Sequence, residues 1–68
     1  MKDYYIVLTD KKHGWEKIFG RRQTTIEEIN DQARWVWSLF NRWEQRRYRV
    51  MVQGEIHGEL AFDSDVRQ

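Results

Sequence analysis

The sequence predicts one small α+β domain of order β-β-α-β-β, with a single long helix packed on an antiparallel or mixed sheet. Three observations lead there. Two stretches, DYYIVLT at 3–9 and RRYRVMVQGEIHGELAF at 46–62, are dense in β-branched and aromatic side chains, the composition of strands. Between them, QTTIEEINDQARWVWSLFNRWEQ repeats its apolar residues at helical spacing. Finally, 68 residues with no proline, no internal repeat and no low-complexity tract leave room for one core only. The ordered part should span about residues 3 to 62, with the polar DSDVRQ at 63–68 as a frayed tail.

The elements follow in order. Residues 3–9 form the first strand, DKKHG reads as a turn, and WEKIF at 15–19 returns as the second strand, ended by Gly20. With an odd loop, Tyr4, Ile6, Leu8 and Ile18 face the helix, while Tyr5, Val7, Trp15 and Phe19 occupy the opposite face. The helix spans about residues 26–45. Thr25 and Glu28 have the spacing of a capping box, in which the hydroxyl accepts from an orphan backbone N–H and the carboxylate reaches back to the cap. Glu27, Glu28 and Asp31 suit the positive end of the helix dipole, and Arg42, Arg46 and Arg47 the negative end. Ile26, Ile29, Ala33, Val36, Trp37 and Phe40 fall on one stripe, the core face. In the second hairpin Tyr48, Val50 and Val52 share a face, and Ile56, Leu60 and Phe62 join them only across an odd loop. A three-residue loop at Gln53, Gly54 and Glu55 pairs Val52 with Ile56, Tyr48 with Leu60 and Arg49 with Glu59; a five-residue loop ending at His57 is the alternative.

Composition narrows the function. The net charge is only +1, but residues 1–50 carry eleven basic and seven acidic side chains, whereas residues 51–68 carry one Arg against four acids. A basic body with an acidic tail can bind polyanions only locally, and it disfavours wholesale mimicry of DNA phosphates, which needs a strongly acidic surface. The absence of cysteine excludes disulfides and thiolate metal sites and fits an intracellular protein. The five-residue apolar run near the N-terminus is too short for a signal-peptide core, and no stretch approaches the roughly 20 apolar residues of a membrane span. The expected setting is the cytoplasm, with no membrane, cofactor or small-molecule substrate.

The segment ARWVWSLFNRWEQRRYRV, residues 33–50, holds three of the four tryptophans and five of the twelve basic side chains. On a continuous helix, Trp35, Leu39 and Trp43 lie beside the core stripe and widen the apolar arc to about 200°, well beyond the roughly 100° that one sheet face covers. With Arg42 and Arg46 they have the make-up of an interface, aromatic anchors inside a polar rim, and are the candidate partner-binding residues. Arg46, Arg47, Tyr48 and Arg49, with Arg21 and Arg22, are the candidate nucleic-acid-binding set, since arginines follow phosphates and rings stack on bases. The same arginines also suit a structural role, satisfying the last helix carbonyls, pairing with Glu44, Glu55 and Glu59, and covering Trp43 with their stems. Glu55, His57 and Glu59 alternate as strand neighbours around an imidazole, but a solvated face opposite Arg49 explains them more simply than a metal site. No phosphate loop, HExxH motif or nucleophile elbow is present, so the sequence predicts no catalytic residues and no enzyme.

The order of hairpin, helix beginning TTIEEINDQARW, then strand or hairpin resembles that of several small phage-encoded inhibitor proteins, among them anti-CRISPR proteins and inhibitors of host RNA polymerase. The resemblance covers nearly the whole chain as architecture, shares no motif and transfers no residue role. It implies a compact, non-catalytic protein that occludes a surface of a larger host complex. The expectation is therefore a non-enzymatic protein-binding module, an inhibitor or accessory factor of a mobile element. A nucleic-acid-binding accessory protein and a structural homodimer are the alternatives.

Overall fold

Nine residues alternating in and out, KDYYIVLTD, form β1 (Lys2–Asp10). This is the central strand of an antiparallel sheet in the computed structural model, which describes residues 2–54 and 61–66. β2 (Glu16–Thr24) and β3 (Tyr48–Gly54) flank it, giving the order β2-β1-β3. The first turn is closed by the Asp10 amide donating to the Trp15 carbonyl at 2.9 Å and the Gly14 amide to the Asp10 carbonyl at 2.7 Å. Gly14 takes φ +76°, a left-handed conformation that a side chain would disfavour.

β2 does not stop at Gly20. It continues to Thr24 through a bulge, since Ile6 pairs with Gly20 but Val7 with Ile18, leaving Phe19 as the extra residue. The turn, residues 11–14, is even where an odd loop was expected, and this changes the faces on the turn side of the bulge. Ile18 lies opposite Val7, away from the helices, and Trp15 rests against Tyr48 on the helix side, ring centroids 6.1 Å apart. Val7 is itself buried, outside the main core, whereas Ile18 opposite it stays 63% exposed. Around Val7 are long side chains: Met51 opposite it, Arg21 over the Tyr5 ring, and Arg49 beside Thr9.

The helical layer holds two helices, which gives β-β-α-α-β among the described residues. α1 (Ile26–Ser38) starts where Thr25 accepts from the Glu28 amide at 3.3 Å. The reciprocal half of the expected box is absent, because the Glu28 carboxylate accepts from the buried Thr24 hydroxyl instead. α1 closes with short-range bonds, the amides of Leu39 and Phe40 donating to the carbonyls of Val36 and Trp37, both at 3.1 Å. The chain then restarts as α2 (Arg42–Arg47), not as a continuous helix to residue 45. Asn41 causes the restart: its side chain accepts from the Glu44 amide at 2.8 Å, and Glu44 accepts from the Asn41 amide at 3.0 Å. Two orphan donors are thus satisfied reciprocally, a full capping box inside the segment predicted as one helix. The Gln45 side chain ties the helices together by donating to the Trp37 carbonyl at 3.2 Å.

Tyr4, Ile6, Ile29, Ala33, Val50 and Val52 form the buried core, with Leu8, Ile26, Trp37, Phe40, Ala61 and Phe62 packed around it. Four members of the predicted stripe, Ile26, Ile29, Ala33 and Trp37, pack there from α1; Phe40 does so from the connection after it. The return of the chain after β3 is registered differently from the expected hairpin. Val52 donates to the Phe62 carbonyl at 2.8 Å, Ser64 to the Val50 carbonyl at 2.9 Å, and Met51 faces Asp63. The Arg49 side chain reaches diagonally to Asp63, Nε donating to Oδ1 at 2.8 Å. Ile56, Leu60, Glu55 and Glu59, on which the predicted register rested, lie outside the described residues. Residues 63–65 are held instead of frayed, and Asn30, buried on α1, accepts from the Phe62 amide at 2.8 Å.

Two substitutions test this packing. A Cβ on Gly54 would lie 2.7 Å from Cε1 of the buried Tyr4 ring. Gly54→Ala should therefore cost about 1–3 kcal/mol by overpacking, read from the denaturant midpoint. Asn41→Ala should cost about 0.5–2 kcal/mol through loss of the second cap. An unchanged midpoint would show that α2 holds by its packing alone.

Candidate functional site

The junction of α2 and β3 places basic and aromatic side chains beside the first turn. Asp10 ends β1 and is fully buried. A buried carboxylate needs donors on both oxygens, and the turn sequence supplies them. Oδ1 accepts from the amides of Lys12 at 2.8 Å and His13 at 3.2 Å. Oδ2 accepts from Arg47, Nη2 at 3.1 Å and Nε at 3.3 Å, across 37 positions of sequence. The His13 Nδ1 lies 3.2 Å from both Asp10 Oδ2 and Arg47 Nη2. A single ring nitrogen cannot donate to the first and accept from the second, so the tautomer decides which contact is a hydrogen bond. Burial pushes the Asp10 carboxyl up, but the His13 contact, the two turn amides and Arg47 outweigh it and hold the group well below the ordinary carboxylate range.

Arg47 is thereby fixed against two rings, 5.4 Å from the Trp43 centroid and 5.5 Å from that of Tyr48. Tyr48 is the centre of an aromatic cluster. Trp43 and Phe40 meet it edge-on at 6.5 and 6.2 Å, Trp15 meets it tilted at 6.1 Å, and Phe40 continues to Trp37 at 5.7 Å. Between the turn and α2 lies an open cleft of about 460 Å³ lined by Lys11, Lys12, Trp43, Arg46 and Arg47. Lys11 reaches the exposed Asp65 at 3.3 Å.

The structure divides the predicted site residues. Trp35 and Leu39 end α1, whereas Arg42, Trp43 and Arg46 belong to α2. Trp35, Leu39 and Trp43 are 65%, 63% and 60% exposed, while Trp37, two residues from Trp35, packs on the core. The break between the helices means that these three side chains do not form the single 200° arc expected of one helix. Of the predicted nucleic-acid set, Arg46 and Arg47 line the cleft and Tyr48 lies in the aromatic cluster. Arg49 is engaged by the Asp63 carboxylate and lies 3.7 Å from Asp65; its expected partner Glu59 lies outside the described residues. The Arg49 hydrogen bond lowers the Asp63 carboxyl pKa against the opposing effect of burial. Arg21 pairs with Asp3 at 3.4 Å, and Arg22 sits opposite Tyr4 at the far end of β2. Glu44 serves as a cap instead of an arginine partner. Lys11 and Lys12 were missed as site residues; their signal was the charged turn DKKHG, which becomes a site only when α2 folds beside it.

Among the described residues, no group of three or more His, Cys, Asp or Glu side chains is placed to hold a metal ion, and Glu55, His57 and Glu59 lie outside them. No helix among the described residues is long and apolar enough to cross a membrane. The fold and surface define a small antiparallel α+β domain with exposed aromatic side chains and a cationic cleft. No protein-family model, curated protein or solved structure matches the chain.

The Asp10 arrangement has a pH signature. Its folded-state pKa lies below the unfolded value of about 3.9, so its contribution is fully present above that value and is lost as pH falls below it. Denaturant titrations across pH should show the stability gap between wild type and Asp10→Asn widest near neutrality and shrinking below about pH 4. A gap that is constant through the acid range would remove the charge of Asp10 from the account.

Proposed function

We propose that the protein is a non-enzymatic binding module that engages a protein partner through the apolar end of the helical layer. One observation carries this reading: Trp35, Leu39 and Trp43 stay 60–65% exposed although the core is complete without them. A domain of this size buries only about 60% of the surface its unfolded chain exposes, so large apolar side chains left outside are costly to stability and solubility. Tryptophan and arginine are the residues most enriched among side chains that dominate binding energy, and Arg42 and Arg46 flank Trp43 on α2. An inhibitor or accessory factor that covers a surface of a larger host complex is the role this surface and the architecture suit together. The cytoplasm is the compartment that the lack of cysteine favours.

Trp35→Ala should weaken association by about 2 kcal/mol or more and cost little stability. Trp37→Ala should instead cost about 3–5 kcal/mol in folding. The measurement is affinity capture of interacting proteins from the native host, followed by titration of the purified pair with wild type and each variant. Light scattering of the isolated chain distinguishes self-association. Capture that is indifferent to Trp35→Ala and Leu39→Ser, with a monomer in solution, would rule out this surface.

A further inference from the structure

We propose that the cleft between the first turn and α2 binds single-stranded nucleic acid, its cations holding phosphates and Trp43 stacking on a base. This goes beyond the protein-binding role assigned to Trp35, Leu39 and Trp43, whose Trp43 and flanking Arg46 the cleft shares. It rests on the juxtaposition of two elements far apart in sequence. Lys11 and Lys12 come from the β1–β2 turn, Arg46 and Arg47 from α2, and Trp43 lies among them in a cleft of about 460 Å³. Four cations thus meet one surface, against two carboxylates, Asp10 and Asp65.

The cations are not equivalent. Arg47 is committed, held by buried Asp10 and by two rings, and acts as a fixed support. Lys11 is held only by an exposed pair with Asp65, which phosphate can displace. Lys12 and Arg46 are exposed and form no ion pair among the described residues, so their charge is open to a ligand. Trp43 has Arg47 over its ring and Tyr48 at its edge, which fix its orientation, yet it stays 60% exposed. An oriented, exposed indole bordered by unpaired cations matches the two requirements of single-strand binding: a charged path for the backbone and a π-face for the bases. An acidic peptide or an anionic membrane would use the cations but would not need the oriented ring. A folded duplex hides its base faces.

The test is fluorescence anisotropy with fluorescein-labelled oligothymidylate and oligouridylate at low salt. Wild type should bind at about 50 mM salt and lose about 20-fold in affinity by about 200 mM, the loss expected for three phosphate contacts on a single strand. Lys12→Gln with Arg46→Gln should weaken binding about tenfold or more. Arg22→Gln removes a charge at the opposite end of β2 and should leave affinity within about twofold. Trp43→Leu should weaken oligonucleotide binding at least about fivefold while leaving heparin, a polyanion without bases, unaffected. Three results would each overturn the proposal: no binding at low salt, equal losses in Arg22→Gln and the double variant, or no effect of Trp43→Leu on oligonucleotide. Preference for phosphatidylserine vesicles or polyglutamate over the oligonucleotides would overturn it in favour of those ligands. Trp43 and Arg46 belong to both surfaces, so the two readings are separated by Trp35→Ala and Leu39→Ser, which should leave oligonucleotide affinity within about twofold.

Discussion

Asp10 has no exposed surface, and its carboxylate must find all its donors inside the fold. It does so from two directions. The turn it begins donates two amides, and Arg47 donates its guanidinium from the end of α2. This single group therefore fixes the turn and its docking to the helical layer. The Lys11 amide, donating to the Arg47 carbonyl at 2.9 Å, extends the same junction along the backbone. A buried ion pair of this kind is weak evidence for net stability, because desolvation opposes the attraction. Its clearer effect is geometric: once Arg47 is anchored, Trp43 and Tyr48 have a planar cation to pack on, and the turn lysines come to face α2.

The helix break serves the same end. A continuous helix from residue 26 to 45 would have carried Trp43 and the arginines along the axis of α1. Instead Asn41 and Glu44 close a reciprocal cap, and a new helix of six residues begins with its own direction. The price of restarting a helix is a fresh set of unsatisfied carbonyls and amides. Here these are met locally, by the Asn41–Glu44 box at the start and by Gln45 reaching back to the Trp37 carbonyl. Because α2 is too short to be stable alone, its position depends on tertiary anchors, and Asp10–Arg47 is one of them.

Elements with a local signal were legible in the sequence. The first strand and turn, the cap at Thr25, and the inward Ile29, Ala33 and Trp37 follow from composition and period alone. Failures came where two local signals competed or where pairing was distant. The Asn41–Glu44 box was present in the residues but overridden by apolar spacing that continues through Trp43. The four-residue turn put Ile18 on the other face, because a change of one in loop length inverts a period-two reading, and the bulge at Phe19 restores the expected parity only from Gly20 onward. The segment after β3 uses Phe62 and Ser64, where alternation favoured residues nearer the turn. For the site, the exposed tryptophans and Arg46 were legible from side-chain type. Lys11, Lys12 and Asp10 were not, since their roles exist only through contacts with α2, more than 30 residues away.

The two proposed surfaces draw on different physics, which is why one small domain can carry both. Trp35 and Leu39 offer apolar area, whose contribution to binding varies little with ionic strength. The cleft offers charge, whose contribution falls steeply as salt rises. The two are joined by Tyr48: its ring touches Trp43 at the cleft and Phe40 on the core side, and Phe40 in turn packs on Trp37, two residues from Trp35. A chain of packed rings therefore runs from the cleft to the helix that bears the apolar surface. Occupancy at one end can influence the other only if those rings have two arrangements. With Asp10 pinning Arg47 and Arg47 pinning Trp43, the cleft end has little freedom to take a second one, so the two ligands would meet by sharing Trp43 and Arg46 directly and not through the chain of rings.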